Sequence, residues 1–432
     1  MSKLEELLQK WCPEGVEYKP LWSVTAWDKK FNAVDKKMQP KTYSYHVLLA
    51  KELFAMKQEK GNVFLLSTGV ETGWTTEEIA GEALCEGEVV TLPWGKSSPV
   101  EGLIKYYKGK FVTGDNRIAT SLDKNVLDNK YLYYWMVNNG DIIDTFYRGS
   151  GIKHPSMYDV LMMQIPVPPI EVQREIVRIL DNFTELTAEL TAELTARKKQ
   201  YEYYRDKLLE PRKNIPLVTL KEIATDIYRG SGIKRDQVTT EGIPCVRYGE
   251  IYTTYHTWFD TCVSHTNLST IANPKYFEYG DILFAITGES IEDIAKSIAY
   301  VGHEKCLAGG DIVVLKHKQN PRYLAHVLAT QRVRSQKSKG KVKSKVVHSS
   351  VPAIEQITIP LPSLEIQEKY ANVLDNFEKI CHDLSIGLPA EIEARKKQYA
   401  YYRDRLLTFA ETGEMLLTDR QTDRQTDRTE CR

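Results

Sequence analysis

Two stretches decide the architecture: Pro166–Phe183, PVPPIEVQREIVRILDNF, and Pro360–Phe377, PLPSLEIQEKYANVLDNF. They agree at eight of eighteen positions, 194 residues apart. Farther along, Ala196–Leu209 (ARKKQYEYYRDKLL) and Ala394–Leu407 (ARKKQYAYYRDRLL) agree at twelve of fourteen, 198 residues apart. The chain is therefore written twice, with a four-residue difference between the matched blocks. Fainter echoes surround them. Glu86–Val90 resembles Tyr279–Leu283, Lys130-Tyr-Leu resembles Arg322-Tyr-Leu, and His154 and His348 each lie twelve residues before their proline. Two weakly alike variable regions thus alternate with two strongly alike connectors.

The connectors read as long helices. Ile176, Leu180, Phe183, Thr187, Leu190, Leu194, Arg197, Tyr201, Tyr204 and Leu208 recur in steps of four and three, the 3.5-residue period of a coiled coil. No Gly or Pro interrupts residues 170–209, so a helix there runs ~60 Å. The second copy repeats the seam from Tyr370 to Leu406, but Gly387 and Pro389 predict a break or kink. The expected fold is α+β: two mixed α/β domains separated by two long helices that pack as an antiparallel coiled coil. The boundaries read as a first domain over 1–165, a connector over 166–211, a second domain over 212–359, a second connector over 360–409 and a tail over 410–432.

The chain has 432 residues, with 58 Lys+Arg against 58 Asp+Glu. That length suits two to three domains, and the zero net charge gives no overall basic field to attract nucleic acid. No stretch approaches the ~18–20 apolar residues of a membrane span, and MSKLEELLQKW is too polar for a secretory signal. A cytoplasmic location is expected. The seven cysteines are scattered with no C-x-x-C, which argues for reduced thiols rather than a disulfide framework or zinc ribbon.

The doubled P-x-P-x-x-E-x-Q pattern followed by a helix resembles the specificity subunit of type I restriction–modification systems, over residues 1–409. The tandem Thr187-Ala-Glu-Leu-Thr191-Ala-Glu-Leu is similar to the spacer repeats of that family's IC branch. The resemblance implies a non-catalytic DNA reader whose two target-recognition domains each bind half of a split, asymmetric site. It implies that the helices hold the halves apart and dock methyltransferase subunits, which restriction/translocase subunits then join. No cofactor is expected on this chain, with S-adenosylmethionine, ATP and Mg on the partners. Each T-A-E-L adds about 6 Å of helix, worth one to two base pairs at ~3.4 Å each, so the tandem reads as a ruler.

Several basic groups are candidate DNA contacts. Gln331–Val347, QRVRSQKSKGKVKSKVV, holds Arg332, Arg334, Lys337, Lys339, Lys341, Lys343 and Lys345 without an acid. Its even spacing would line one side of an extended strand with ammonium groups. The heptapeptide Tyr-Arg-Gly-Ser-Gly-Ile-Lys occurs at Tyr147–Lys153 and Tyr228–Lys234. It offers Arg148, Ser150 and Lys153, then Arg229, Ser231 and Lys234, either as a phosphate- or base-contacting loop or as a repeated tight turn. Lys96 and Arg117 in the first half, and Arg235 and Arg247 in the second, are lesser candidates. In the most repeated block, Tyr201, Tyr204 and Arg205, with Tyr399, Tyr402 and Arg403, are candidate partner-docking anchors.

Catalytic constellations are missing. Gly95-Lys-Ser lacks the first glycine of a phosphate loop, Asn273-Pro-Lys-Tyr lacks the second proline of an amino-methyltransferase motif, and no histidine pairing suits a metal. The tail TDRQTDRQTDRT can be encoded by an uninterrupted ACAG repeat, which predicts a slippage-prone gene and a disordered terminus. The competing class is a bivalent coiled-coil scaffold that binds only proteins.

Overall fold

The computed structural model describes residues 3–96, 98–288, 290–337, 341–343, 346–382 and 387–408. The chain forms two compact units, and each takes in parts of both connectors. Unit 1 comprises Met1–Glu189 and the chain from Ala394 onward, and unit 2 comprises Leu190–Glu393. The fold is α+β.

The first connector is one 39-residue helix, Ile170–Leu208. Its Ala, Glu, Leu, Lys and Arg are good helix formers, and its threonines are accommodated because Thr184, Thr187 and Thr195 each donate to the carbonyl four residues back. Glu171 in the first turn and Arg205 and Lys207 in the last complement the helix dipole. The second connector is two helices, Leu364–His382 and Gly387–Leu407, broken where Gly387 and Pro389 predict. Gly387 adopts a φ of 61°, a conformation that costs other residues, and Pro389 sits in the first turn, where its missing N–H is harmless.

Unit 1 is built on a six-stranded sheet in the order Thr25–Trp27, Asn116–Ser121, Cys85–Pro93, Lys105–Thr113, Val63–Leu66, Gly73–Thr75. The helix Asn129–Asn138 buries Tyr131, Leu132, Tyr134 and Trp135. This core continues into Val172, Ile176 and Leu180 of the first connector and Leu406 and Leu407 of the second. Phe183 stacks on Tyr402, and Tyr399 shares Thr184 with Tyr134. Partners thus ascend one helix as they descend the other, so the two segments are antiparallel within this unit.

Unit 2 has two five-stranded sheets. One runs Ala224–Arg229, Ile312–His317, Ile282–Ala285, Ser297–Tyr300, Trp258–Phe259. The other runs Val238–Thr239, Ser264–Thr266, Ile243–Val246, Cys306–Ala308, Tyr276–Phe277. Its helix Pro321–Leu328 packs with Tyr201, Leu209, Ala371 and Leu374 of the connectors in a single core.

The repeated sequence performs the same joinery twice. Tyr18 pairs with Pro166, and Leu217 with Pro360, in short antiparallel ladders. Buried Gln173 accepts from the Asp128 amide (2.9 Å) and donates to the Val126 and Pro168 carbonyls (both 2.7 Å). Buried Gln367 accepts from the Asn320 amide (3.0 Å) and donates to the Pro362 carbonyl (2.8 Å) and Gln319 (3.0 Å). Each glutamine thereby fixes the residue that caps the neighbouring short helix, Asp128 or Asn320. The repeated aspartate follows suit. Asp181 takes Lys130 (2.8 Å) and the Tyr134 hydroxyl (2.7 Å). Asp375 takes Arg322 (2.5 Å) and His326 Nε2 (2.7 Å).

Candidate nucleic-acid interface

The Lys337–Lys345 run is not one strand. Gln331–Lys337 is a helix, Lys341–Lys343 and Val346–His348 form a hairpin, and Lys339 and Lys345 lie outside the described residues. The helix forms because Val333 faces the core and the Lys337 side chain turns inward, donating to Ser297 Oγ (2.9 Å) and the Leu328 carbonyl (2.8 Å). Burial, with Arg334 adding, pulls the Lys337 ammonium down to about 7. Lys337 is thus a core residue rather than a DNA contact.

In unit 1, Tyr147–Arg148 and His154–Pro155 form the matching hairpin. Both hairpins rest on the same kind of seat. The His154 ring meets the Trp94 carbonyl through Nδ1 at 2.8 Å, and His348 Nδ1 lies 3.3 Å from Thr287 Oγ1. Gly95 and Gly288 follow those anchors. Gly288 pairs with Val347, and a Cβ on Gly95 would crowd Ile152 at 2.7 Å. Each seat holds a basic hairpin at the same distance in sequence from its connector. Arg148, Ser150 and Lys153 are exposed on the first, with Arg148 lightly tethered to Asp159 (3.1 Å). Lys341 and Lys343 lie on a strand of the second.

The second heptapeptide has a different job. Ser231 is buried, takes the Lys275 amide (2.7 Å) and donates to the Asn273 carbonyl (2.7 Å). A Cβ on Gly230 would strike the Ala308 and Gly309 carbonyls. Arg229 binds Asp311 (2.7 Å) and the Gly310 carbonyl. This copy is a tight crossing of two segments, which removes Ser231 from the DNA-contact set and ties Arg229 into the fold. Lys234, which ends this copy, and Arg235 just after it are exposed, as is the tethered Arg229.

Two other candidates are internal and a third is half-buried. Lys96 is buried against Asp144 and the Tyr147 ring. Arg117 is 3% exposed, pairs with Asp28 (3.5 Å) and Asp115 (3.2 Å), and lies over Trp94 at 4.1 Å. Arg247 is half-buried beside Glu250 at 3.8 Å. For buried Lys96 and Arg117 a carboxylate of the same chain takes the place a phosphate would have had, while Arg247 stays partly exposed. Arg332 holds Thr358 through its carbonyl (3.1 Å) and hydroxyl (3.3 Å), and Arg334 approaches Glu202 at 4.0 Å.

The anchors expected to meet a partner largely face their own chain. Tyr201 is buried with its hydroxyl 3.1 Å from His326 Nδ1, and buried Arg205 binds Asp206 (2.7 Å) and lies over Tyr201. Tyr399 is half-buried, and Arg403 reaches Asn138 (3.1 Å) and Glu101 (3.0 Å). Tyr204 and Tyr402 are exposed, beside exposed Tyr203 and Tyr401. His326, Asp375 and Glu378 offer ligand atoms within 4.8 Å of one another, but Tyr201 and Asp375 occupy both imidazole nitrogens, leaving a clamp. Burial opposes ionisation of Asp375, yet His326, Trp258 and Arg322 outweigh it and hold its carboxyl below the ordinary range. Among the described residues, no helix is long and apolar enough to cross a membrane.

Two halves of one plan, each with a basic hairpin, match what comparison with known proteins finds. The family model described as the type I restriction modification DNA specificity domain matches residues 51–197 and again 217–394. The chain belongs to this family. It is a type I DNA-specificity subunit, a recognition chain rather than a catalyst. A putative type I restriction enzyme specificity subunit of Haemophilus influenzae is 29% identical over 339 residues, 75% of this chain and 84% of its own length. The EcoR124I/EcoR124II specificity subunit of Escherichia coli is 27% identical over 307 residues, 68% of this chain and 74% of its own. A solved structure described as the basis of complex assembly and conformational transition of the type I R-M system shares the fold. Its TM-score is 0.57 at 16% identity, covering 91% of this chain and 98% of that one. Of the seat residues, Gly95 stands out in the sequence only as part of an incomplete phosphate loop, and Thr287 and Gly288 do not stand out at all. The equal spacing of His154 and His348 from their prolines was the only signal of the seats.

Proposed function

We propose that this specificity subunit reads a bipartite, asymmetric DNA site, one half with the hairpin Tyr147–Pro155 and the other with the hairpin Lys341–His348. The observation that carries this reading is the recurrence of a basic hairpin on an equivalent seat in both units, although the two hairpin sequences differ. Different side chains on a common mount are what two half-sites of different sequence require. Arg148, Ser150 and Lys153 probe one half. Lys341 and Lys343, with Lys339 and Lys345 of the same run, probe the other, while Lys234 and Arg235 supply phosphate contacts.

The T-A-E-L tandem of the IC-like first connector sets the gap between half-sites. Methyltransferase subunits dock on the exposed tyrosines of the repeated block, Tyr203 and Tyr204 together with Tyr401 and Tyr402, and restriction/translocase subunits join them. S-adenosylmethionine, ATP and Mg act on those partners. The test is co-expression with the methyltransferase subunit and genome-wide mapping of methylated bases by single-molecule sequencing. A split motif with a fixed gap is expected. Copurification without new methylation, and without duplex binding, would favour a protein-only scaffold instead.

A further inference from the structure

We propose that buried Lys96 and its half-buried partner Asp144 are a positioning pair that sets the register of the hairpin Tyr147–Pro155, so that an ion pair at the hairpin's base determines specificity for one half-site. This inference rests on the reading of that hairpin as a DNA probe.

One lysine holds both ends of the hairpin. Its backbone exchanges two hydrogen bonds with Lys153, Lys96 N to the Lys153 carbonyl at 3.2 Å and Lys153 N to the Lys96 carbonyl at 3.4 Å. Its side chain runs the other way, to the Asp144 carboxylate and the Ser98 carbonyl (3.3 Å), with Nζ 4.9 Å from the centre of the Tyr147 ring. Asp144 lies three residues before the hairpin's first strand and also takes the Val100 amide at 2.9 Å. Burial works against the Asp144 carboxylate, but Lys96 and the Val100 amide prevail and hold it below the usual range. The two ends of the hairpin and the supporting loop therefore meet at a single lysine, the exit end through its backbone and the entry end and loop through its ammonium.

The energetics favour a register device over a stabilising one. The Lys96 side chain is 6% exposed and that of Asp144 38%, and such a pair returns little net stability, because desolvation of the lysine offsets the Coulombic gain and solvent screens the carboxylate. Its best-attested use is to select one arrangement among near-equals. A hairpin whose ladder is only two residue pairs long, Tyr147↔Pro155 and Arg148↔His154, has weak register of its own. A one-residue slip would move Arg148 to the opposite face.

The experiment uses the full chain assembled with its methyltransferase partner, comparing wild type with Lys96→Met/Asp144→Leu, Asp144→Asn and Arg148→Ala/Lys153→Ala. Readouts are the melting temperature and base-by-base discrimination at both half-sites from methylation maps. The isosteric double variant is expected to melt near wild type yet lose about tenfold or more discrimination at the half-site that Arg148→Ala/Lys153→Ala relaxes, leaving the other half intact. Should the double variant fail to fold, Asp144→Asn, which keeps the shape and removes the charge, is expected to relax the same half-site. Unchanged discrimination in a folded variant, or equal loss at both half-sites, would overturn the pairing. If Arg148→Ala/Lys153→Ala itself leaves both half-sites intact, the hairpin is not the reader and the parent proposal fails with it.

Discussion

The repeated glutamine offers the sharpest test of how connector and domain are joined. In Gln173→Ala, three backbone groups lose their partner at once: the Asp128 amide and the Val126 and Pro168 carbonyls. Gln173 is fully buried, so water cannot simply take its place. At ~1 kcal/mol or more for each orphaned group, plus a cavity left by one methylene and an amide, the expected loss is about 3–5 kcal/mol from unit 1. Gln367→Ala should cost less, about 2–4 kcal/mol, because one of its three partners is the side chain of Gln319, which can turn to solvent. The Asp128 amide should also lose protection against hydrogen exchange in the first variant, and the Asn320 amide in the second. Unfolding of two units is not a single two-state event, so residue-resolved exchange is the better assay, with chemical denaturation beside it. If Gln173→Ala changes stability by less than ~0.5 kcal/mol, as an ordinary surface substitution would, the P-x-P-x-x-E-x-Q repeat is not a fold lock. Its duplication would then need an external partner to explain it.

Further outcomes follow from other sites. Lys337 has a folded pKa of about 7 against about 10.4 unfolded, so between these values the unfolded chain holds the extra proton. Wild-type stability relative to Lys337→Met should therefore rise with pH across that window, by up to ~1.4 kcal/mol per unit, and urea titrations at pH 7.5 and 9.5 measure it. Gly230→Ala should destabilise unit 2 by roughly 2–4 kcal/mol through backbone collision, whereas Gly232→Ala, with nothing within 4 Å of its Cβ, should be near neutral in thermal melts. Lys341→Ala/Lys343→Ala should flatten the salt dependence of duplex binding by about 0.9 in log–log slope per lost phosphate contact. Deleting Thr191–Leu194 should shorten the gap in the methylated motif by one to two base pairs and leave both half-sites unchanged, as read by methylation mapping.

The seam of the first connector shows where sequence periodicity stops being a guide. Its four-three steps run through Arg197 and Tyr204, yet both are exposed, while Tyr201, Arg205 and Leu209 are buried. The strict 3.5-residue period describes a helix packed on another helix. Once the helix lies against a globular core it presents its natural 3.6-residue face, and the buried set drifts by one position. The same limit explains the basic residues. Composition marks a cation but not its anion: Asp144 is 48 residues from Lys96 and Asp28 is 89 from Arg117 along the chain, and only folding brings each pair together.

By itself the sequence determined the duplication, the helical connectors, the break at Gly387 and Pro389, the α+β class and the family, because these depend on local spacing and on comparing the chain with itself. Only tertiary structure decided which cations stay outside. It also decided that one heptapeptide becomes a hairpin loop and its twin a tight crossing, and that Tyr201 and Arg205 of the repeated block turn inward while Tyr203, Tyr204, Tyr401 and Tyr402 stay exposed. Each of these outcomes depends on a partner supplied from a distant part of the chain, and neither propensity nor charge spacing records which partner arrives.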